Sequence, residues 1–197
     1  AEKGRESHSV LGSLFLNPTV AAGIAFGSGG TQIRKGPVYT ERILYLRVNK
    51  DRRVEVVDTL GLKCDDLFGK LEEGTLSQED VDPGAKEKLL ASNQEAYRTK
   101  VCTLDATVAR SNADTAGPAP VRSEGKVLIL ASVHDTFPKA KAKESVWVSC
   151  KDLSTAQTLK HQVCLSSPDD LPSSVEYMDK DAVIAVDEGG RALCCNR

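Results

Sequence analysis

The chain has 197 residues, 40% of them apolar and 27% charged, so it is long enough and apolar enough to bury a hydrophobic core. This composition excludes an intrinsically disordered chain, and a net charge of −2 gives no overall field that would attract nucleic acid or anionic lipid. Aromatic residues make up only 5%, so we expect a core built mainly from Leu, Val, Ile and Ala.

The first apolar segment, residues 10–26, runs directly into a short glycine loop, Gly27–Gly30. The segment is near the lower length limit for a membrane span, and Asn17-Pro18 interrupts it. We therefore expect two short buried strands, or a strand and a turn of helix, with a membrane-active segment as the alternative. The glycine loop lacks the lysine and the third spaced glycine of nucleotide-binding motifs. It is predicted to be a connector, and anion binding is left open.

The clearest structural signal is a pair of strands, Ile43–Val48 and Val54–Val57, joined by a polar loop. A five-residue loop, Asn49–Arg53, places Arg47 opposite Glu55, whereas a three-residue loop would set two arginines against each other. A four-residue loop would pair a leucine with a glutamate and disrupt the apolar face. We therefore predict a hairpin with the five-residue loop.

This register also determines which side chains share a face of the hairpin. One face pairs Tyr45 with Val57, and the other carries only aliphatic side chains near its centre. A two-stranded ribbon is marginally stable alone, so the rest of the chain has to cover it. The face that we expect to be covered consists of Leu44, Leu46, Val48, Val54 and Val56.

The middle of the chain changes from strand-like to helix-like sequence. Apolar residues at helical spacing predict helices over Cys64–Leu71 and Ala85–Tyr97. Alternation predicts a strand over Lys100–Ala109, and the glycine and prolines of Arg110–Glu124 predict an extended linker.

The C-terminal part is predicted to be mainly β. Its candidate strands are Lys126–Val133, Val146–Cys150, Leu159–Leu165 and Ala182–Val186, the last forming a hairpin with Ala192–Cys195. We thus predict an α+β fold with a mainly antiparallel sheet and a helical pair near residues 61–98 packed on it. The predicted domains are 1–109 and 125–197, joined by linker 110–124, or else one continuous domain.

Six cysteines permit disulfides without requiring them. Cys150 and Cys164 would lie on neighbouring strands, which makes them the candidate disulfide pair. Together with His161 they are also the candidate zinc ligands, completed by one of the two cysteines at 194 and 195. Reduced, buried cysteines are the remaining alternative. The N-terminal alanine fits either a cytosolic or an exported mature chain.

His134-Asp135 is the candidate catalytic position, because it directly follows an apolar strand and strand ends commonly carry site residues. No nucleophile motif of the type Gly-x-Ser-x-Gly accompanies it. Three alternating lysines, Lys139, Lys141 and Lys143, could contact a polyanion, although such lysines also protect the edges of sheets.

With no catalytic constellation and no cofactor-binding motif, we expect no cofactor and interpret the chain as a non-enzymatic protein. It would bind another protein or form a structural subunit of a larger assembly. The alternatives are a hydrolase or transferase with an unfamiliar site near His134-Asp135, and a membrane-active protein that uses residues 10–26.

Overall fold

A computed structural model describes residues 4–8, 19–28, 33–103 and 117–189. These ranges contain both helices and antiparallel strands, which confirms the predicted α+β fold class. The strands are β1 (Arg5–Glu6), β2 (Ile43–Val48), β3 (Val54–Asp58), β4 (Leu128–Ser132) and β5 (Phe137–Pro138). The helices are α1 (Val20–Phe26), α2 (Leu67–Glu73), α3 (Pro83–Lys88), α4 (Gln94–Cys102), α5 (Leu153–Leu159) and α6 (Lys180–Gly189).

Helix α1 begins and ends at sequence signals. The Thr19 side chain accepts a hydrogen bond from the Ala22 amide at 3.1 Å, and Gly27 ends the helix with a φ of 60°, which glycine adopts without steric cost. The described part of the segment 10–26 is therefore helical, which agrees with the expectation of a strand and a turn of helix for its helical part. Residues 9–18 lie outside the described ranges. No helix in those ranges is both long and apolar enough to cross a bilayer.

The central sheet has three strands in the order β3-β2-β4, all antiparallel. The hairpin register is confirmed, because Arg47 lies opposite Glu55 and Leu46 opposite Val56. The five-residue loop is held by Asn49, whose side-chain oxygen accepts from the amides of Asp51 and Arg53, both at 3.0 Å.

The buried face of the sheet is the opposite of the one predicted. Tyr45 lies opposite both Val57 and Ile129, and this row packs against Ile24 of α1 and against Val121. The face expected to be covered is instead mostly in solvent, and only its end near the start of β2 is buried. Its exposed aliphatic side chains are those of Val48, Val54 and Val56.

The region 61–98 contains helices, as predicted, but it has three short ones and a 3-10 turn at Gln78–Asp80 instead of a pair, and the helix that packs against the sheet is α1. The region is attached beside β2 by the buried Arg42 guanidinium, whose Nε donates to the Leu60 carbonyl at 2.8 Å. Helix α4 continues to Cys102, so the predicted strand over Lys100–Ala109 is wrong at its start. Residues 104–109 lie beyond the described part.

Part of the predicted linker belongs to the core. Val121 is buried in the central cluster, and the amides of Arg122 and Glu124 donate to carbonyls of Ile24 and Ala25, at 3.0 and 2.9 Å. Residues 117–124 are therefore not an extended linker, and residues 110–116 are outside the described ranges. The domain boundaries stay a prediction, although β2 and β4 join both sides of the linker in one sheet.

The predicted strand Lys126–Val133 is present as β4, whereas two other predicted C-terminal strands are helical. Leu159–Leu165 falls on the end of α5 and a π-helical segment, Lys160–Cys164, and Ala182–Val186 lies within α6. Aspartates favour these helices by capping their first turns: Asp152 accepts from the Thr155 amide at 2.8 Å, and Asp179 accepts from the Ala182 amide at 2.7 Å.

The predicted strand Val146–Cys150 is also wrong, because this segment is neither helix nor strand. Its Trp147 side chain is 87% exposed. The other half of the predicted C-terminal hairpin, Ala192–Cys195, lies outside the described ranges.

Candidate functional site

Two histidines, the buried His8 and the half-buried His134, lie together where the ends of β1, β4 and β5 meet. Strand β1 pairs with β5, placing Glu6 opposite Phe137, and His8 follows β1 by two residues. His134 follows the end of β4, whose exit is fixed by a hydrogen bond of 2.6 Å from the Thr40 hydroxyl to the Val133 carbonyl. The fold thereby brings together two residues that are far apart in sequence.

The His8 ring is held by edge-to-face contacts. Its centroid lies 5.5 Å from that of His134 and 4.9 Å from that of Phe137. His8 is only 5% exposed, and both of its ring nitrogens are shielded from solvent, with the Ala91 backbone close enough to raise its pKa. The Nε2 atom of His134 lies 3.1 Å from the Ser132 hydroxyl oxygen, and its buried Nδ1 has no hydrogen-bond partner.

Asp135 adjoins this pair, and its carboxylate accepts a hydrogen bond from Ser92. This bond from the Ser92 hydroxyl measures 2.6 Å, and the Asp135 amide donates to the Ala91 carbonyl at 3.1 Å. These bonds tie the end of β4 to the segment between α3 and α4.

Both histidines have lowered pKa values. Burial and, to a smaller extent, the neighbouring His8 together lower the pKa of His134 to about 4, while Asp135 acts in the opposite direction. Burial also lowers the pKa of His8, again against the effect of Asp135. The pair is therefore uncharged at neutral pH, which suits a buried aromatic contact.

An ion pair lies next to the histidine pair. Lys35 contacts Glu6 at 2.8 Å and donates to the Ser7 carbonyl at 3.2 Å. The hydrogen bond from Lys35 lowers the pKa of the Glu6 carboxyl. The Lys35 ammonium group therefore binds to residues of β1 and its flank, beside the histidine pair.

The arrangement does not form a catalytic triad. Ser132 contacts His134, but Asp135 hydrogen-bonds Ser92 and leaves the His134 Nδ1 without the orienting acceptor that a triad requires. The sequence identified His134 and Asp135 but missed His8, because its approach depends on long-range strand pairing. A catalytic role for His134 and Asp135 stays a prediction.

The candidate cysteine chemistry is not assembled. Cys150 and Cys164 are both free thiols, so the expected disulfide is absent, and the described ranges contain no disulfide. His161 and Cys164 lie on one π-helical segment. Among the residues that the structure describes, no group of three or more His, Cys, Asp or Glu side chains could hold a metal ion.

Two other candidate sites stay open. The three lysines, Lys139, Lys141 and Lys143, are exposed in an irregular segment, and their contact with a polyanion stays a prediction. Gly27 follows the carbonyl end of α1, whereas phosphate-binding loops lie at the amide end of a helix. Residues 29–32 of this loop and its flank lie outside the described ranges.

The chain is similar to quinone-dependent D-lactate dehydrogenases. It is 32% identical to that of Corynebacterium glutamicum over 97% of this chain and 34% of the relative. It is 28% identical to that of Escherichia coli, over 95% of the chain and 33% of the relative, and 29% identical to that of Haemophilus influenzae, over 91% and 32%. No protein-family model matches. The chain spans about a third of the length of these curated relatives.

These relatives correct the predicted function. They are enzymes, so the interpretation as a non-enzymatic interaction or structural subunit is wrong. They are also dehydrogenases, a different class from the hydrolase, transferase or membrane-active protein considered as alternatives. The absence of familiar catalytic motifs suggested a non-enzymatic protein. A chain that matches only a third of an enzyme, however, need not carry a complete set of catalytic residues.

Proposed function

We propose that this chain forms part of a D-lactate dehydrogenase that transfers electrons to a quinone. The proposal rests on the matches to three such enzymes from different bacteria, which cover 91–97% of the chain. The reaction removes two electrons and two protons from the secondary alcohol of D-lactate, giving pyruvate. The quinone takes up both electrons and both protons and becomes a quinol.

The chain contributes an α+β unit to this enzyme, built on the sheet β3-β2-β4 and the strand pair β1–β5. The buried histidines support the unit structurally. The nitrogens of His8, and Nδ1 of His134, are out of contact with solvent, and His134 with a pKa of about 4 is a weak base at neutral pH. We therefore do not assign to this pair the uptake of the lactate hydroxyl proton.

A chimera tests the proposal. The matched third of the Corynebacterium glutamicum enzyme is replaced by this chain, and D-lactate-dependent reduction of a soluble quinone analogue is measured. We expect turnover with D-lactate and little with L-lactate. The same enzyme with the matched third deleted is the control and should be inactive.

The proposal is overturned if the chimera is folded, by circular dichroism and size-exclusion chromatography, yet shows no turnover. Co-expression of this chain with the deleted enzyme provides a second measurement that does not require the chimeric junctions to be tolerated. Restoration of D-lactate oxidation in that experiment supports the proposal even if the chimera misfolds.

A further inference from the structure

An aliphatic sheet face lies uncovered on the side opposite the core. Two rows of side chains form it: Leu46 lies between Val56 on β3 and Leu128 on β4, and Val48 lies opposite Val54. Val48, Val54 and Val56 are each about two-thirds exposed, at 66, 70 and 64%, Leu128 is 59% exposed, and Leu46 is half-buried. We call this set, together with the exposed Leu130, the outer sheet face.

The outer sheet face differs from scattered surface hydrophobes because its members are neighbours across three hydrogen-bonded strands. The opposite face of the same strands, with Tyr45 between Val57 and Ile129, is covered by α1 and Val121. Among the residues that the structure describes, the sheet is therefore covered on one side and bare on the other. Isolated exposed apolar residues are normal, whereas a contiguous apolar patch marks a surface that packs against something.

The length of the relatives indicates what covers it. This chain spans 32–34% of each relative, so about two thirds of each relative's polypeptide lies outside the matched region. Domains bury sheets between layers, and a second layer has to come from outside the described elements. The unmatched two thirds of a relative is long enough to supply it.

A lipid surface fits the outer sheet face less well. The aliphatic side chains project from the strands, while the hairpin tip is polar and carries Lys50, Asp51, Arg52 and Arg53. A penetrating loop would place its apolar side chains at the tip instead. The flat central rows suit the side chains of another protein layer.

We infer that the outer sheet face is the docking surface for the remaining two thirds of the dehydrogenase polypeptide, which covers it with an apolar layer. The inference rests on the proposed function, because the identity of the occupant comes from the relatives. It adds to that function the surface by which the two parts of the enzyme associate.

Capture of one defined partner tests the inference. This chain, carrying an affinity tag, is co-expressed with the Corynebacterium glutamicum enzyme from which the matched third has been deleted, and the yield of the captured enzyme is measured. We expect co-purification, reduced about tenfold or more by Val56→Lys, because a lysine would be buried unpaired in an apolar contact. Val54→Lys should act in the same direction.

Val163→Lys is the matched control. Val163 is 63% exposed, close to the 64% of Val56, but it lies on the π-helical segment away from the sheet. Capture should be retained with this variant. The inference is overturned if Val163→Lys weakens capture as much as Val56→Lys, or if folded Val54→Lys and Val56→Lys chains capture the partner fully.

Two other occupants would give distinct results. If the chain forms a dimer in light scattering, Val56→Lys dissociates that dimer, and the partner is not captured, then the outer sheet face binds a second copy of this chain. That result overturns the inference. If the chain binds anionic vesicles, Val56→Lys abolishes that binding, and the partner is not captured, then the outer sheet face binds lipid. That result also overturns the inference.

The same experiment separates the inference from the proposed function. Capture that depends on Val56 without D-lactate oxidation by the complex overturns the function but retains a docking surface. If a chimera oxidises D-lactate and neither Val54→Lys nor Val56→Lys changes its activity or stability, the proposed docking surface is wrong. The proposed function is retained in that case.

Discussion

At the scale of single residues, the buried histidine pair is the feature with the clearest physical consequence. His8 and His134 contact each other through their ring edges, and three of their four nitrogens are out of contact with solvent. A proton on either ring would place a positive charge in a desolvated position beside another imidazole. The fold therefore stabilises the neutral form of both residues.

This pair predicts a loss of stability in acid. The folded pKa of His134, about 4, is below the ordinary value of 6.5, so the unfolded chain binds a proton first as the pH falls. The stability that neutral His134 contributes is complete above pH 6.5 and is lost towards pH 4. We expect His134→Leu to reduce the loss between pH 7.5 and pH 5 by up to about 2 kcal/mol, measured by urea unfolding at both values.

The control is the exposed His161, replaced by leucine in the same way. It should leave the difference in unfolding free energy between pH 7.5 and pH 5 unchanged. If His134→Leu also leaves that difference unchanged, the ring is not held neutral by burial in the way that we describe.

At the scale of elements, the hairpin β2–β3 could be predicted in register because its side chains discriminate among the loop lengths. Asn49 then decides the loop conformation, since its side chain accepts from two backbone amides. We expect Asn49→Ala to lower the unfolding free energy by about 1 kcal/mol, because both amides lose their partner in a solvent-accessible loop.

Lys50→Ala provides the comparison for Asn49→Ala, since the Lys50 side chain is exposed in the same loop. Chemical denaturation should show a change within about 0.5 kcal/mol for it. Equal effects of the two substitutions would mean that the loop does not depend on the Asn49 side chain.

The contact between Gly61 and Ala85 makes a second prediction for the elements. Gly61 has a φ of 68°, and a Cβ there would lie 2.2 Å from the Ala85 Cβ. We expect Gly61→Ala to cost about 3 kcal/mol, from overlap and from a left-handed backbone, measured by thermal or urea unfolding.

Adding Ala85→Gly separates these two causes. It removes the overlapping methyl group, so the double variant should be destabilised by less than the sum of the two single variants. A strictly additive result would show that Gly61 and Ala85 are not in contact.

The elements also show why the rest of the fold could not be predicted. Both faces of the hairpin are apolar, with Tyr45 and Val57 on one side and Leu46 and Val56 on the other, so alternation alone could not identify the buried face. Short apolar runs such as Ala182–Val186 fit a strand as well as a turn of helix, and here the capping aspartate decides. His134 was found from its place after a strand, but His8 required the β1–β5 pairing.

At the scale of the whole molecule, a complete apolar core and a bare apolar surface belong to the same sheet. The core row through Tyr45 is sealed by α1 and Val121, while the outer sheet face is left to solvent. Apolar side chains on α6, including Val183 and Ile184, are also partly exposed. This distribution fits a chain that matches only a third of each relative, because surfaces that pack between parts of an enzyme are apolar before the parts meet.

Trp147 gives the protein a built-in optical reporter. It is the sole tryptophan of the sequence, so ultraviolet excitation of indole reports on one defined position without any label. Because its ring is almost wholly hydrated, emission from the free chain is at the long-wavelength end and open to quenching by iodide. Any association that buries this ring therefore moves the emission towards the blue and shields it from the quencher, and assembly can be followed in real time on unmodified protein.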